Sequence, residues 1–271
     1  MRNKDIVVLI GAGAIGQAIA RRVAFGRRII LADLYPEAVE KGADVLRDAG
    51  FDVTTAPVDV AVAESVAALA ALVAQLGDVT HVIHAAGISP VRATPQQIIA
   101  VDLVGTALVL EEFGKIVASG GAGIVIASMA GYMLPPLTPE QNAQLATAPV
   151  DELANLDFVA AVPDAMAAYC LAKRANSLRT QAAAVIWGDR GARVNAISPG
   201  VIMTPLTYEE FVGSSGAGFP VMIQASAAGR VGTPDEIGEA CAFLLNTPYI
   251  TGADLLMDGG IIAAMTAGRI N

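Results

Sequence analysis

Ile6-Val7-Val8-Leu9-Ile10 is a run of five aliphatic residues that stops at Gly11-Ala12-Gly13-Ala14-Ile15-Gly16. An apolar strand, a glycine turn and then helical spacing over 15–24 predict a strand–turn–helix unit. In that context each glycine has a physical reason. The first permits a tight turn. The second lets backbone come close to a pyrophosphate, and the third lets the helix pack on the strand. The helix N-terminus adds unpaired N–H groups and a partial positive charge. A glycine turn that holds no ligand is the plainer alternative for the motif taken alone. Asp33 ends the next aliphatic run, 33 − 11 = 22 residues past the first glycine. A carboxylate there accepts from ribose hydroxyls and repels a 2′-phosphate, which favours NAD(H) over NADP(H). Arg27 and Arg28 precede that strand and are poorly placed to hold such a phosphate.

The same alternation continues along the chain. Further strands are expected at 28–32, 52–56, 80–84, 124–127, 193–197 and 255–257. Helices fit 36–49, 62–76, 95–117, 165–187 and 234–245. Strands apolar on both faces and separated by helices indicate a parallel sheet covered on both sides. Right-handed crossovers then give an α/β fold: a doubly wound parallel sheet, or Rossmann fold, of about seven strands in a single domain over 1–271. Two stretches break the rhythm. Residues 132–164 carry Pro135, Pro136, Pro139, Pro149 and Pro163, with Thr138-Pro139-Glu140-Gln141 as a capping box. Residues 204–228 are rich in Gly and Ser, with Phe211, Phe219, Met222 and Ile223 among them. Long excursions of this kind are lids, binding loops or disorder.

Composition narrows the function. Hydrophobic residues are 54% and charged residues 16%, so the chain can build a core and is not disordered. Aromatics are only 5%, which leaves the core to Ala, Val, Ile and Leu. The net charge of −9 argues against nucleic-acid partners. Two cysteines, Cys170 and Cys241, make no disulfide framework and fit a reducing cytoplasm. Arg2, Lys4 and Ala18-Ile19-Ala20 mimic a secretion signal, but Asp5 and the three glycines fit it badly. Other apolar stretches are too short or too interrupted to span a bilayer, so no membrane partner is expected.

Tyr169 and Lys173 are four apart in a predicted helix, on one face and about 6 Å apart at Cβ. An ammonium beside a phenol stabilises the phenolate and lets it exchange a proton near neutral pH. By itself this pair is as easily two surface residues. The ordered set of motifs is more specific. The glycine turn, Asp33, Asp59-Val60, His84-Ala85-Ala86-Gly87, Ser128-Met129-Ala130-Gly131, Tyr169 to Lys173, Asn195 to Gly200, Thr204 and Asp258-Gly259-Gly260 resemble the short-chain dehydrogenase/reductase family over nearly the whole chain.

The resemblance implies roles. Tyr169 would be the general acid/base, with Lys173 lowering its pKa and holding the nicotinamide ribose. Ser128 would orient the substrate oxygen. Gly11, Gly13, Ala14, Ile15 and Gly16 would hold the pyrophosphate of NAD, and Asp33 its ribose. Asp59 and Val60 would flank the adenine. Ala85, Ala86 and Gly87 would let the cofactor pass the fourth strand. Pro199, Gly200, Ile202 and Thr204 would line the nicotinamide. The substrate would be a small secondary alcohol or ketone. A homo-oligomer, dimer or tetramer, is the family's habit, with the dimer slightly favoured here.

Four departures qualify this. The glycine turn is the compact G-x-G-x-x-G form, with Ile10 where the classical pattern has Thr. The family's N-N-A-G is His84-Ala85-Ala86-Gly87, so both asparagines are missing. His81 and His84 are three apart on a strand, face opposite ways and have no ligand partners beside them, so no metal site is expected. The tetrad asparagine falls on Asp102. It could serve the relay water near the lysine, or alter that lysine's influence on Tyr169. Finally, Ser128 and Tyr169 are 169 − 128 = 41 apart, roughly thirty more than is usual. Some bacterial 3α-hydroxysteroid dehydrogenase-like members carry similar insertions, which cover one dimer-forming helix face. Residues 132–164 are therefore expected to be an insertion, and 204–228 a substrate-binding loop. Phe211, Phe219, Met222 and Ile223 suit an apolar or alicyclic substrate, or equally the ordinary packing of a lid. A catalytically silent dinucleotide sensor, an NADP-preferring carbonyl reductase and a cofactor-retaining epimerase or dehydratase stay open beside the dehydrogenase reading.

Overall fold

The structure, a computed structural model, describes residues 5–205, 207, 208 and 218–270. Seven parallel strands form one sheet in the order β3-β2-β1-β4-β5-β6-β7. They are β1 (Ile6–Ile10), β2 (Arg28–Asp33), β3 (Asp52–Pro57), β4 (Val79–His84), β5 (Val117–Ile126), β6 (Arg193–Pro199) and β7 (Asp254–Met257). Every residue of β1 is buried, because helices cover both faces. Each such aliphatic side chain contributes about 1.5–3 kcal/mol. Val8 and Ile10 point to one layer with Ile30, Val82 and Val125, while Val7 and Leu9 point to the other with Ile29, Ile83 and Ile124.

Helices α1 (Ala14–Val23), α2 (Pro36–Asp48) and α11 (Pro234–Asn246) close one face. Helices α3 (Ala63–Leu76), α5 (Gly105–Gly114) and α9 (Ala165–Gly188) close the other. The sheet winds outward in both directions from the β1–β4 pair. A crevice at that reversal, beyond the carboxyl ends of the strands, is where such folds take ligands.

Two elements differ from the sequence reading. The helix expected over 95–117 is three pieces: α4 (Pro95–Ile98), a π-helical turn Ile99–Val104 and α5. The wide turn keeps both Asp102 and Leu103 fully buried, and π-turns of this kind are frequent at functional sites. Strand β5 starts at Val117 rather than 124. Val117 pairs with Val79, and the register then shifts before Ala122 meets His81. Ser119-Gly120-Gly121-Ala122-Gly123 carries no β-branched signal, so neighbour pairing alone draws it into the sheet.

The stretch between β5 and α9 is helical. It contains α6 (Ala130–Met133), α7 (Pro139–Thr147), a 3₁₀ turn Leu153–Asn155 and α8 (Asp157–Ala160). The capping box at the start of α7 is formed: Gln141 N–H donates to Thr138 Oγ1 (3.2 Å) and Thr138 N–H to Gln141 Oε1 (2.9 Å). Leu145, Leu153 and Val159 are buried against Ile98, Leu103, Leu171 and Ala175, so the stretch is packed onto α9 and the π-turn. Helices α10 (Gly218–Ala225) and α12 (Ile261–Thr266) close the carboxyl end of the sheet near β6 and β7. Among the described residues no helix is long and apolar enough to cross a membrane.

Candidate active site

The glycine turn leaves β1 at the reversal point. Gly11 has φ +101°, and a Cβ there would stand 2.5 Å from Ala86 N and 2.6 Å from the Ala85 carbonyl carbon. The turn thus needs glycine for its conformation and for contact with β4. Gly16 is equally confined, against Leu9 (2.7 Å) and Ala85 (3.1 Å). Gly13 is different: a Cβ would meet nothing within 4 Å among the described residues. Gly13 caps α1 without any side-chain bond to the helix. Open space in front of a helix N-terminus, next to Ala14 and Ile15, fits a phosphate group. Asp33, at the end of β2, accepts Ala12 N–H (2.8 Å) and Tyr35 N–H (3.3 Å). It ties the turn to β2 and, half-buried, keeps lone pairs for hydroxyl donors.

Beyond Asp33 lies a cavity of about 400 Å³ lined by Leu34, Pro57, Asp59, Ser65, Leu69 and Leu72, among others. An apolar slot with one carboxylate suits a purine whose amino group needs an acceptor. Asp59 lines this cavity, but Val60 does not. Its side chain is buried, with Cγ2 against Gly105, because α5 passes directly over it. Sequence reading found only Asp59 among the lining residues; Leu34, Ser65, Leu69 and Leu72 were missed, because single aliphatic or small residues beside strand ends and on a helix carry no signal of their own.

Tyr169 and Lys173 are one turn apart near the start of α9, which opens on Asp164 accepting Ala167 N–H (2.9 Å). Lys173 Nζ lies 5.3 Å from the Tyr169 ring centroid. It also donates to the Ile126 carbonyl at the end of β5 (3.4 Å). Two residues on, Ser128 leaves β5 half-buried and accepts Ala130 N–H (3.1 Å). A Cβ at Gly131 would be 2.9 Å from the Lys173 carbonyl carbon, so the segment after Ser128 lies directly on α9 beside Lys173. The long intervening stretch does not separate the strand end from the helix.

Asp102 comes from the π-turn and meets Lys173 directly, Oδ1 to Nζ at 2.9 Å, with both side chains buried. Its Oδ2 accepts Ile88 N–H (3.2 Å). Burial, the largest single influence, pushes the Lys173 pKa down; the Asp102 carboxylate and Tyr169 together outweigh it and leave it raised. The lysine is therefore a permanent cation.

Other expected site residues have different surroundings. A Cβ on Gly87 would meet Asp102 Oδ1 at 2.6 Å and Lys173 Nζ at 3.3 Å, so its missing side chain makes room for that ion pair. Ala85 and Ala86 lie against Gly11. The Pro199 carbonyl accepts Met129 N–H (2.9 Å), joining the ends of β5 and β6. Gly200 is required by the segment that leaves β7, since a Cβ would be 2.6 Å from Asp258 Cα. Ile202 is a core residue, bridged to Gly232. Thr204 Oγ1 accepts Thr207 N–H (3.1 Å), capping its own turn. Phe219, Met222 and Ile223 pack with Met129, Val201 and Ile261 near the ends of β5 and β6; Phe211 lies outside the described residues. His81 and His84 pair with Val7 and Ile10, which face opposite layers. Among the described residues no cluster of three metal-ligating side chains occurs.

The same residues can be set against known proteins. The family model described as "short chain dehydrogenase" matches residues 4–140, and "Enoyl-(Acyl carrier protein) reductase" matches 141–262. The chain is 38% identical over 268 residues to "Short-chain dehydrogenase/reductase bsc3" of Alternaria brassicicola, covering 97% of this chain and 98% of that protein. It is 32% identical over 276 residues to "D-threitol dehydrogenase" of Mycolicibacterium smegmatis, with 95% and 92% covered. A short-chain dehydrogenase/reductase structure from Serratia marcescens superposes with a TM-score of 0.74 at 23% identity, covering 96% of this chain and 98% of that one, a likeness of fold alone.

Proposed function

Because the chain belongs to the short-chain dehydrogenase/reductase family, whose oxidoreductases use a nicotinamide dinucleotide, we propose that it is an NAD(H)-dependent enzyme interconverting a secondary alcohol and a ketone, with Tyr169 as general acid/base. The observation that carries this is the buried cation of Lys173 beside the Tyr169 ring, at the strand ends that also carry the glycine turn.

Gly11, Gly13 and the start of α1 would receive the pyrophosphate. Asp33 would hold the adenosine ribose, and its negative charge disfavours a 2′-phosphate. Asp59 and the adjoining cavity would take the adenine. When bound, the dinucleotide supplies a hydride acceptor or donor. Tyr169 takes the hydroxyl proton in oxidation and returns it in reduction. Lys173 stabilises the phenolate between those events. Ser128 donates a hydrogen bond to the reacting oxygen and so orients it. Positioning of both reactants supplies much of the acceleration.

Met129, Val201, Phe219, Met222 and Ile223 give the approach side an apolar wall, which supports an apolar or alicyclic alcohol. Residues 132–164 act as an insertion that covers the outer face of α9, and 204–228 as the substrate loop. With α9 covered in this way, a homodimer is the expected assembly, working in the cytoplasm.

The test is turnover by nicotinamide absorbance with a panel of secondary alcohols, from D-threitol to cyclohexanol derivatives. Tyr169→Phe should lower turnover about 10²–10⁴-fold while leaving NAD(H) affinity nearly unchanged. Full activity in that variant would overturn the mechanism. NAD binding without turnover across the panel would favour the sensor reading instead.

A further inference from the structure

His84 is fully buried at the end of β4, where it stands in place of the family's asparagine. Its Nε2 lies 3.0 Å from Thr106 Oγ1, and Thr106 Oγ1 donates to the Asp102 carbonyl at 2.8 Å. A threonine hydroxyl has one proton. The Asp102 carbonyl can only accept it, so Oγ1 must in turn accept from His84 Nε2–H. That assignment fixes a neutral Nε2–H tautomer and leaves Nδ1 without a partner among the described residues. The imidazole thus holds Thr106, Thr106 holds the backbone of the π-turn, and Ile88 N–H holds the Asp102 carboxylate from the other side.

We propose that His84 and Thr106 are positioning residues: they fix the Asp102 carboxylate on Lys173, and that fixed negative charge sets how readily Tyr169 gives up its proton. The proposal rests on the reading of Tyr169 and Lys173 given above. Among the described residues, the ionisable groups facing Lys173 are Asp102 from the π-turn, Tyr169 from α9 and His84 from β4. Strand β5 contributes only the Ile126 carbonyl. His84 stays uncharged: burial, and then the Lys173 cation, push its pKa down to about 3. Removing the Asp102 charge makes loss of a proton from the Tyr169–Lys173 unit easier, whichever of the two groups releases it. The phenol should therefore titrate at lower pH without Asp102.

The experiment needs no substrate. The chain has five tyrosines and two histidines, so ¹³Cζ-tyrosine and ¹⁵N-histidine labels give countable signals, with Tyr169→Phe and His81→Gln as assignment controls. Asp102→Asn should move the Tyr169 midpoint down by on the order of one pH unit. His84→Leu should move it in the same direction, and His84→Gln, whose amide can replace Nε2–H, should restore the wild-type midpoint. An unmoved midpoint in Asp102→Asn, or in a folded His84→Leu, overturns the proposal. Should His84→Leu fail to fold, the wild-type histidine spectrum still decides the His84 part. A neutral Nε2–H tautomer from pH 5 to 9 supports it, and an Nδ1–H or charged ring overturns it. Failure of the underlying reading is seen separately, as turnover that survives Tyr169→Phe.

Discussion

Gly87 and Asp102 share one space: a methyl group on Gly87 would stand 2.6 Å from Asp102 Oδ1. The glycine after β4 and the acid of the π-turn are therefore coupled, although neither is near the other in sequence. Gly87→Ala must push Asp102 off Lys173. Crowding a packed interior costs about 1–3 kcal/mol, which thermal unfolding reads as a fall of roughly 2–12 °C in Tm. The pH profile of turnover should move to lower pH, because the lysine loses its fixed counter-ion and the phenol then gives up its proton more readily. A variant with wild-type Tm and pH profile would contradict the coupling.

The glycine turn separates structural from ligand-binding demands. Gly13→Ala meets no atom within 4 Å among the described residues and should leave Tm unchanged while weakening NAD(H) binding about tenfold or more. Gly11→Ala, with its positive φ and a 2.5 Å contact to Ala86, should lose both stability and binding. Calorimetric titration with NADH beside a melting curve reads both effects. Equal NADH affinity in Gly13→Ala and the wild type would remove the pyrophosphate from that site.

Asp33 is expected to set cofactor choice. Asp33→Asn keeps an acceptor for Ala12 N–H but removes the charge that would face the ribose. NAD(H) should bind more weakly and NADP(H) better, shifting the affinity ratio toward NADP(H) by about tenfold or more. A ratio that does not move would mean that Asp33 serves only to tie the turn to β2.

Stability should fall on mild acidification. Burial, followed by Arg27 and Arg193, holds His81 at about 4, and burial followed by Lys173 holds His84 at about 3. Both lie below the ordinary histidine value, so the unfolded chain binds protons that the folded one does not. Their stabilisation is complete above about pH 6.5 and is lost progressively as pH falls toward the folded values, a matter of several kcal/mol at most, roughly. Ordinary carboxylates are still ionised between about pH 6.5 and 5, so the slope there reports these two residues. Chemical denaturation at several pH values checks this. His84→Gln should flatten the slope, and an unchanged slope would assign it elsewhere.

Local sequence determined the strand–helix alternation, the glycine turn and the acid after β2. These rest on aliphatic runs, helical spacing and turn chemistry within a few residues, and the sheet repeats them with boundaries displaced mostly by one residue. The one-turn spacing of Tyr169 and Lys173 was legible for the same reason. What only tertiary structure decided was everything that depends on a second element. The early start of β5 comes from pairing with β4. The Gly87–Asp102 contact and the His84–Thr106 bond join residues 15 and 22 positions apart, and the π-turn at Ile99–Val104 follows no periodic signal in the sequence. The packing of Leu145 and Leu153 on α9 is of the same kind. Sequence marked Asp102 by its place in an ordered motif series but left its effect on Lys173 open. A side chain's type fixes which charges it can carry; only the fold fixes the 2.9 Å at which this carboxylate meets the lysine, and Coulomb energy depends on that distance.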